Sequence, residues 1–258
     1  MPVHPTAVIH PGAKIDPTAE IGPFCVIGDE VSIGAGTRLM AHIYAEGPTW
    51  IGEDNIFFPY ASVGVASQDL KYQGERAETR IGNHNKIREF VTIHRGTRGG
   101  GALTSIADSN LLMAYAHIAH DCRIGSHCIL ANGVTLGGHV VISDYARIGA
   151  FSGVHQFCRI GAHAMVGGYS VITRDVLPYS LTGVEREARV FSENKEGLRR
   201  DGFPAAVIER LHKAFRLLTS SQLNTSQAVE RICAEIETCP EIADLVRFIQ
   251  SSERGVIK

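Results

Sequence analysis

The chain has 258 residues, of which 44% are apolar, 20% charged and 7% aromatic; this suits one or two ordinary water-soluble domains and excludes disordered and collagen-like chains. A formal charge of −2 leaves no global positive excess to hold a nucleic-acid backbone, so no nucleic-acid partner is expected and an acidic partner must meet a local patch. No run of 18 apolar residues occurs, and the start MPVHPTAVIHPGA lacks a basic stretch followed by an apolar core, so neither a transmembrane segment nor an export signal is expected.

From the N-terminus onward the organising feature is a six-residue period. Ile9, Ile15, Ile21, Ile27, Ile33 and Leu39 are six apart, and past Ala45 the count continues through Ile51, Phe57 and Val63, then Ile81, Ile87 and Ile93. Two segments break it: 65–80 (VASQDLKYQGERAETR), read as one full extra period of polar content, and 96–104 (GTRGGGALT), which precedes a one-residue slip. Loops that interrupt a regular scaffold are candidates for function. The train then runs through Ile106, Leu112, Ile118, Ile124, Leu130, Leu136, Ile142, Ile148, Val154, Ile160, Val166 and Ile172, all aliphatic. Glycine often follows the aliphatic residue and is expected at corners that need positive φ.

A helix repeats at about 3.6 residues and a strand at about 2, so a six-residue period rich in β-branched residues reads as short strands joined by corners. Three sides make one turn of a parallel β-helix, with each aliphatic residue on the axis and turns about 4.8 Å apart. We assign this all-β part to residues 1–178 and a small α-helical C-terminal domain to 179–258. There Pro204 opens a helix with Ile208, Leu211, Phe215 and Leu218 on one face. Asn224, Thr225 or Ser226 caps a second carrying Val229, Ile232 and Ile236, and Pro240 begins a third with Leu245, Phe248 and Ile249 inward. The six cysteines, at 25, 122, 128, 158, 233 and 239, form no CxxC pair and read as reduced, buried thiols of a cytoplasmic protein.

Positions 18 apart stack, which places Ala119-His120-Asp121, Gly137-Gly138-His139 and His155-Gln156-Phe157 on successive rungs. Three histidines, a carboxylate and an amide then lie within about 10 Å of one another along the axis. Imidazole is the natural base for taking a proton from a hydroxyl near neutral pH, and Gly138, above His120, offers a backbone N–H to a developing oxyanion. A catalytic metal needs three protein ligands, whereas His117 and His120, three apart on an extended segment, face opposite sides; no metal or other cofactor is expected. The Gly99-Gly100-Gly101 run lacks the Lys-Ser or Lys-Thr of a P-loop, and no GxSxG occurs, so direct transfer assisted by histidine is the simplest chemistry.

The hexapeptide train together with QDLKY (68–72), IHRGT (93–97), AHIAHD (116–121), GGHV (137–140), VHQFCRIGAH (154–163) and EGLRR (196–200) closely resembles the UDP-N-acetylglucosamine acyltransferases that begin lipid A synthesis. The resemblance spans nearly the whole chain. It implies a left-handed coil, a homotrimer with sites between subunits, and transfer of a 3-hydroxyacyl group from acyl carrier protein to the 3-hydroxyl of UDP-N-acetylglucosamine. By motif, His120 is the general base, Asp121 its partner and Gly138 the oxyanion donor. Because side chains of adjacent residues diverge on an extended strand, the role of Asp121 requires a corner.

His117, His139, His155 and Gln156 match positions that hold sugar, diphosphate or acyl groups. Gln68, Asp69 and Lys71 match loop contacts to substrate, and Asn194, Glu196, Arg199 and Arg200 match the binding run of the tail. Gly168 matches the stop for the acyl tail; glycine leaves the channel long, which favours a chain of about 14 carbons over one near 10, each buried methylene contributing about 0.8 kcal/mol. Two departures stand out: Asp201 follows Arg199-Arg200 where the family commonly has a third basic residue, and the 183–188 turn (GVEREA) differs from the family's. The basic residues of 185–216 are a candidate surface for the acidic carrier. A sugar-nucleotide N-acyltransferase, a zinc-dependent hydratase and a non-catalytic scaffold remain open alternatives at this level.

Overall fold

The computed structural model describes residues 3–183, 189–220 and 222–257. Three parallel sheets wrap one axis. The first face runs from strand Val8–Ile9 to Val171–Ile172, the second from Lys14–Ile15 to Arg159–Ile160, and the third from Glu20–Ile21 to Met165–Val166. Consecutive strands lie on successive faces, so each pairs with the strand three earlier; Val8 aligns with Val26 and Ile9 with Ile27, the 18-residue stacking expected from the period. This is the left-handed β-helix of hexapeptide repeats.

The periodic aliphatic residues line the axis, with Ile27, Leu39, Ile93, Ile118 and Leu136 essentially sealed from solvent. A second inward position lies two residues before each of them and is often small: Ala19, Cys25, Ala61, Ala116, Cys122, Cys128, Ala146 and Cys158 sit there, buried, as do the larger Ile43 and Val134. Four cysteines are therefore core residues. Cys233 is exposed and Cys239 half-buried, both in the helical tail, so uniform burial does not hold; all six are free thiols. Asn55, Asn85 and Asn110 share this second position. The Asn55 side chain accepts the N–H of Asn85 at 2.9 Å, and Asn85 in turn accepts that of Asn110 at 2.9 Å, so the amide oxygens tie successive coils together, while Asn110 Nδ2 has no partner among the described residues.

The interruptions differ from their reading in the sequence. Ile51 pairs with Ile81 and Ile81 with Ile106, spacings of 30 and 25 where the regular coil has 18. The first loop thus adds two sides' worth of chain rather than a whole turn, and the apparent slip is an insertion of one side plus one residue. The corners also differ from expectation in residue type. Positive φ falls mainly on non-glycine residues, such as Phe24, His42, Tyr60, Phe90 and Tyr115, whose rings stack 4.8–5.0 Å apart along one edge. Glycine after the aliphatic residue answers a different need, the close approach of neighbouring coils: a Cβ on Gly22 would lie 1.5 Å from the Met40 carbonyl oxygen.

Past the last coil, Ser180–Gly183 pairs in parallel with Met165–Val166 and antiparallel with Arg189–Glu193, extending the third face by a hairpin that the period did not reveal. The turn at 184–188 lies outside the described residues. Among the described residues four helices follow: α1 (Lys195–Arg200), α2 (Ala205–Leu218), α3 (Thr225–Glu235) and α4 (Pro240–Gln250). Pro204 stands immediately before α2, and Asn224 caps α3 in a capping box with Gln227. Ile236 ends α3 rather than continuing it, though its side chain stays buried. Among the described residues no helix is long and apolar enough to cross a membrane.

Candidate active site

The corner between the first and second faces carries the site. Asp121, His139 and Phe157 occupy its left-handed positions, with φ of 61°, 62° and 66°. The positive φ at Asp121 turns two adjacent side chains toward each other, which a straight strand would forbid. As a result His120 Nδ1 lies 2.8 Å from Asp121 Oδ2. The unusual backbone is tied down from outside: the Asp121 N–H donates to Thr104 Oγ1 at 2.8 Å, while Thr97 donates its N–H to Oδ1 at 2.9 Å and its hydroxyl to Oδ2 at 2.6 Å. The Asp121 side chain is fully buried and that of His120 only 13% exposed.

With Nδ1 facing a carboxylate, that nitrogen carries the proton and Nε2 is left basic. Nε2 faces the first loop, 4.0 Å from Asp69 Oδ2. The His139 ring meets His120 edge-on at 5.1 Å and stacks on Phe157 at 4.4 Å. Gly138 sits over His120 so closely that a Cβ there would fall 2.5 Å from Cε1 and Nε2. Among the described residues the Gly138 N–H meets no acceptor, whereas its carbonyl accepts Phe157 N–H at 3.1 Å. His120, Asp121 and His139 each bring a donor atom within 4.8 Å of the others. Both Asp121 oxygens already accept hydrogen bonds, an arrangement built for proton transfer more than for a metal ion.

A cleft of about 620 Å³ opens between the two inserted loops, lined by Asp69, Lys71, Tyr72, Thr97, His139 and Phe157 among others. A shallower one of about 440 Å³ faces Gly137, Gly138, His155 and Gln156. Thus His117, His120, Asp121, Gly138 and His139 gather on adjoining rungs, with Asp69 and Lys71 from the loop. Gln68 is exposed and outside the lining of the larger cleft. The expected three-histidine pocket is a correction: His155 is exposed, its Nδ1 lies 3.1 Å from the Gln156 carbonyl oxygen, and it opens on the shallow cleft. It stacks in the column of Ala119, one position before His120, while the corner column continues from His139 to Phe157.

The tail residues form a second group. Asn194, buried, caps α1 and donates Nδ2 to the His163 carbonyl oxygen at 3.0 Å; Glu196, Arg199 and Arg200 are exposed, with Glu196 and Arg199 paired at 2.7 Å. His163 belongs to the corner between the second and third faces, where Tyr145 and His163 stack at 4.6 Å, so the second face separates this group from His120. Gly168 lies on the third corner, where a Cβ would be 3.1 Å from the Ala150 carbonyl oxygen. Asp201 is no loose departure: it binds Arg147 through both oxygens, at 2.9 and 3.3 Å, and His163 Nδ1 at 3.1 Å, fixing the end of α1 to the coil.

Three further residues face this centre without having been expected to: His94, Thr97 and Gly100. His94 and Thr97 both lie in IHRGT, a signal that could have found them; Thr97 and Gly100 also lie in the 96–104 insertion, where counting by 18 places nothing. His94 is buried, its Nδ1 has no hydrogen-bond partner, and its ring meets His117 edge-on at 4.9 Å. Burial, then the nearby His117 and His120, push its pKa down to about 4; burial also lowers His117 and His139. In the unfolded chain each takes a proton near pH 6.5, in the fold only lower, so stability is full above that pH and declines toward pH 4. His94 alone is expected to account for about 3 kcal/mol of that loss, and chemical denaturation of wild type and His94→Phe between pH 7.5 and 4.5 measures it.

Comparison with known proteins agrees along the whole chain. The family model described as UDP-N-acetylglucosamine O-acyltransferase domain 2 matches residues 175–257, and the bacterial transferase hexapeptide model of six repeats matches 6–41, 104–138 and 139–174. The UDP-N-acetylglucosamine acyltransferase of Bacteroides fragilis 9343 is 41% identical over 99% of this chain and 100% of that one, with a TM-score of 0.97. The chain belongs to the UDP-N-acetylglucosamine acyltransferase family. The O-acyltransferase of Moraxella catarrhalis RH4 is similar at 42% identity over 100% of both chains, TM-score 0.95, and LpxA of Acinetobacter baumannii at 44% over 99% of both, TM-score 0.94. Membership in this acyltransferase family excludes a scaffold without catalysis as the reading of this coil.

Proposed function

We propose that the chain transfers a 3-hydroxyacyl group from acyl carrier protein to the 3-hydroxyl of UDP-N-acetylglucosamine, the first step of lipid A synthesis in the cytoplasm. The observation that carries the mechanism is the His120–Asp121 pair, with Nδ1 held at 2.8 Å and Nε2 left facing the loop that carries Asp69 and Lys71. Nε2 takes the proton of the sugar hydroxyl as its oxygen bonds to the thioester carbon. The resulting oxyanion is met by the Gly138 N–H. When the carbon–sulfur bond breaks, the imidazolium returns the proton to the departing thiolate, and Asp121 stabilises the imidazolium between the two steps.

Asp69, Lys71, His117 and His139 bind around this centre, His155 and Gln156 at its shallow side, with Gln68 at the rim and Gly168 at the end of the acyl channel. Asn194, Glu196, Arg199 and Arg200 lie on another corner of the same prism, so a homotrimer that sets that corner beside the His120 corner of a neighbour completes the site. Leu70, fully exposed at the tip of QDLKY, suits burial on such a neighbour. The division at residue 178 belongs to the same reading, as does a carrier surface on the basic residues of 185–216, of which 185–188 lie outside the described residues. Incubating the protein with UDP-N-acetylglucosamine and equal amounts of ten- and fourteen-carbon 3-hydroxyacyl carriers is expected to give the fourteen-carbon ester by mass spectrometry. An amide product overturns the acceptor, and a ten-carbon product the role of Gly168.

A further inference from the structure

The triglycine segment of the second loop folds onto the carboxylate that holds His120. Thr97 precedes a short turn, Arg98–Gly100, and its carbonyl oxygen accepts the N–H groups of Gly100 at 3.0 Å and Ala102 at 2.8 Å. Gly100 lies against Asp121 so tightly that a Cβ there would fall 2.0 Å from the carboxylate carbon. Gly101, at φ 92°, lets the chain leave the turn. The loop is braced by the first one: the Arg98 N–H donates to Glu75 Oε1 at 3.2 Å, and Gln73 N–H to Glu75 Oε2 at 2.9 Å. This arrangement is not a phosphate cradle: the N–H groups of Gly100 and Ala102 go to the Thr97 carbonyl, that of Arg98 to Glu75, and the N–H and hydroxyl of Thr97 to Asp121.

We propose that Thr97 is a positioning residue for the transfer: its hydroxyl shares Asp121 Oδ2 with His120 Nδ1 and thereby sets how strongly the carboxylate holds the imidazole. This rests on His120 being the base. Oδ2 accepts two hydrogen bonds, from Thr97 Oγ1 at 2.6 Å and from His120 Nδ1 at 2.8 Å, while Oδ1 accepts the Thr97 N–H. Each is a charge-assisted bond to one ionised oxygen pair, so they compete for the same charge. Removing the hydroxyl leaves more of that charge to His120. The imidazole then becomes a stronger base that returns its proton less readily, and the carboxylate loses one of the contacts that fix its plane. The other groups facing this centre, Asp69, His94, His117 and His139, keep their contacts when Thr97 changes, and Thr104 still binds the Asp121 N–H.

The test uses the full-length protein. Thr97→Val keeps the shape and removes the donor; kcat is expected to fall about ten- to a hundredfold at unchanged KM for both substrates, since a misplacement of about 1 Å can cost on the order of 10²-fold. The acid limb of kcat/KM is expected to move to higher pH, as is the midpoint of the His120 imidazole titration followed by nitrogen-15 NMR. Thr97→Ser restores all three. Gly100→Ala, which crowds the same carboxylate, lowers kcat at unchanged KM. Wild-type kcat and an unmoved acid limb in Thr97→Val overturn the proposal, as does a loss that Thr97→Ser fails to restore. If His120→Ala retains turnover, the base assignment itself fails; if His120→Ala is inactive while Thr97→Val is unmoved, only the role of Thr97 does.

Discussion

His120→Ala is expected to lower turnover by about 10² to 10⁴ while leaving the coil intact, because the substitution removes general-base assistance without touching the axial core. Its neighbours on the inward positions, Ile118 and Cys122, are fully buried and unaffected, and Asp121 keeps both bonds from Thr97. The melting temperature should therefore change by only a few degrees, about what losing one hydrogen bond costs. The informative form of the measurement separates kcat from KM at saturating concentrations of both substrates. A base acts in the transition state, so the loss appears in kcat and equally in kcat/KM. A rise in KM with kcat unchanged would instead mark His120 as a binding residue and move the base elsewhere, with His139, 5.1 Å away, as the next candidate.

How much of this was readable beforehand follows from what the winding fixes. An 18-residue turn converts sequence distance into contact, so Gly138 above His120 and the corner of His139 and Phe157 were legible from counting alone. The requirement for a bend at Asp121 was legible too, because adjacent side chains converge only off an extended backbone; the φ of 61° meets it. Phase within a rung was not resolved finely enough. His155 shares a rung with Phe157 but stands two positions before the corner, and a difference of two residues separates the cleft between the loops from the shallow face beside Gly137. Insertions escape the count altogether. Thr97 and Glu75 reach Asp121 and Arg98 through loops whose path no period dictates, and the tail's attachment through Asp201, Arg147 and His163 depends on a helix docking across a sheet.

Glycine at 138 provides the second large effect. Gly138→Ala is expected to reduce kcat by about 10² to 10³, the range found when an oxyanion donor is lost or displaced. The N–H itself survives the substitution, so the effect must come from geometry. The new methyl would sit 2.5 Å from Cε1 and Nε2 of His120, far inside van der Waals contact. A free side chain would swing aside at little cost, but this imidazole is anchored at Nδ1 by a buried carboxylate that Thr97 holds at both oxygens. Either the base rotates away from the acceptor or the rung lifts and carries the N–H off the oxyanion, and both outcomes remove stabilisation specific to the transition state. Binding of UDP-N-acetylglucosamine measured by calorimetry should persist, which separates misalignment from a blocked site. Full activity in Gly138→Ala would mean that the base and the oxyanion donor are not held by this pair of stacked rungs.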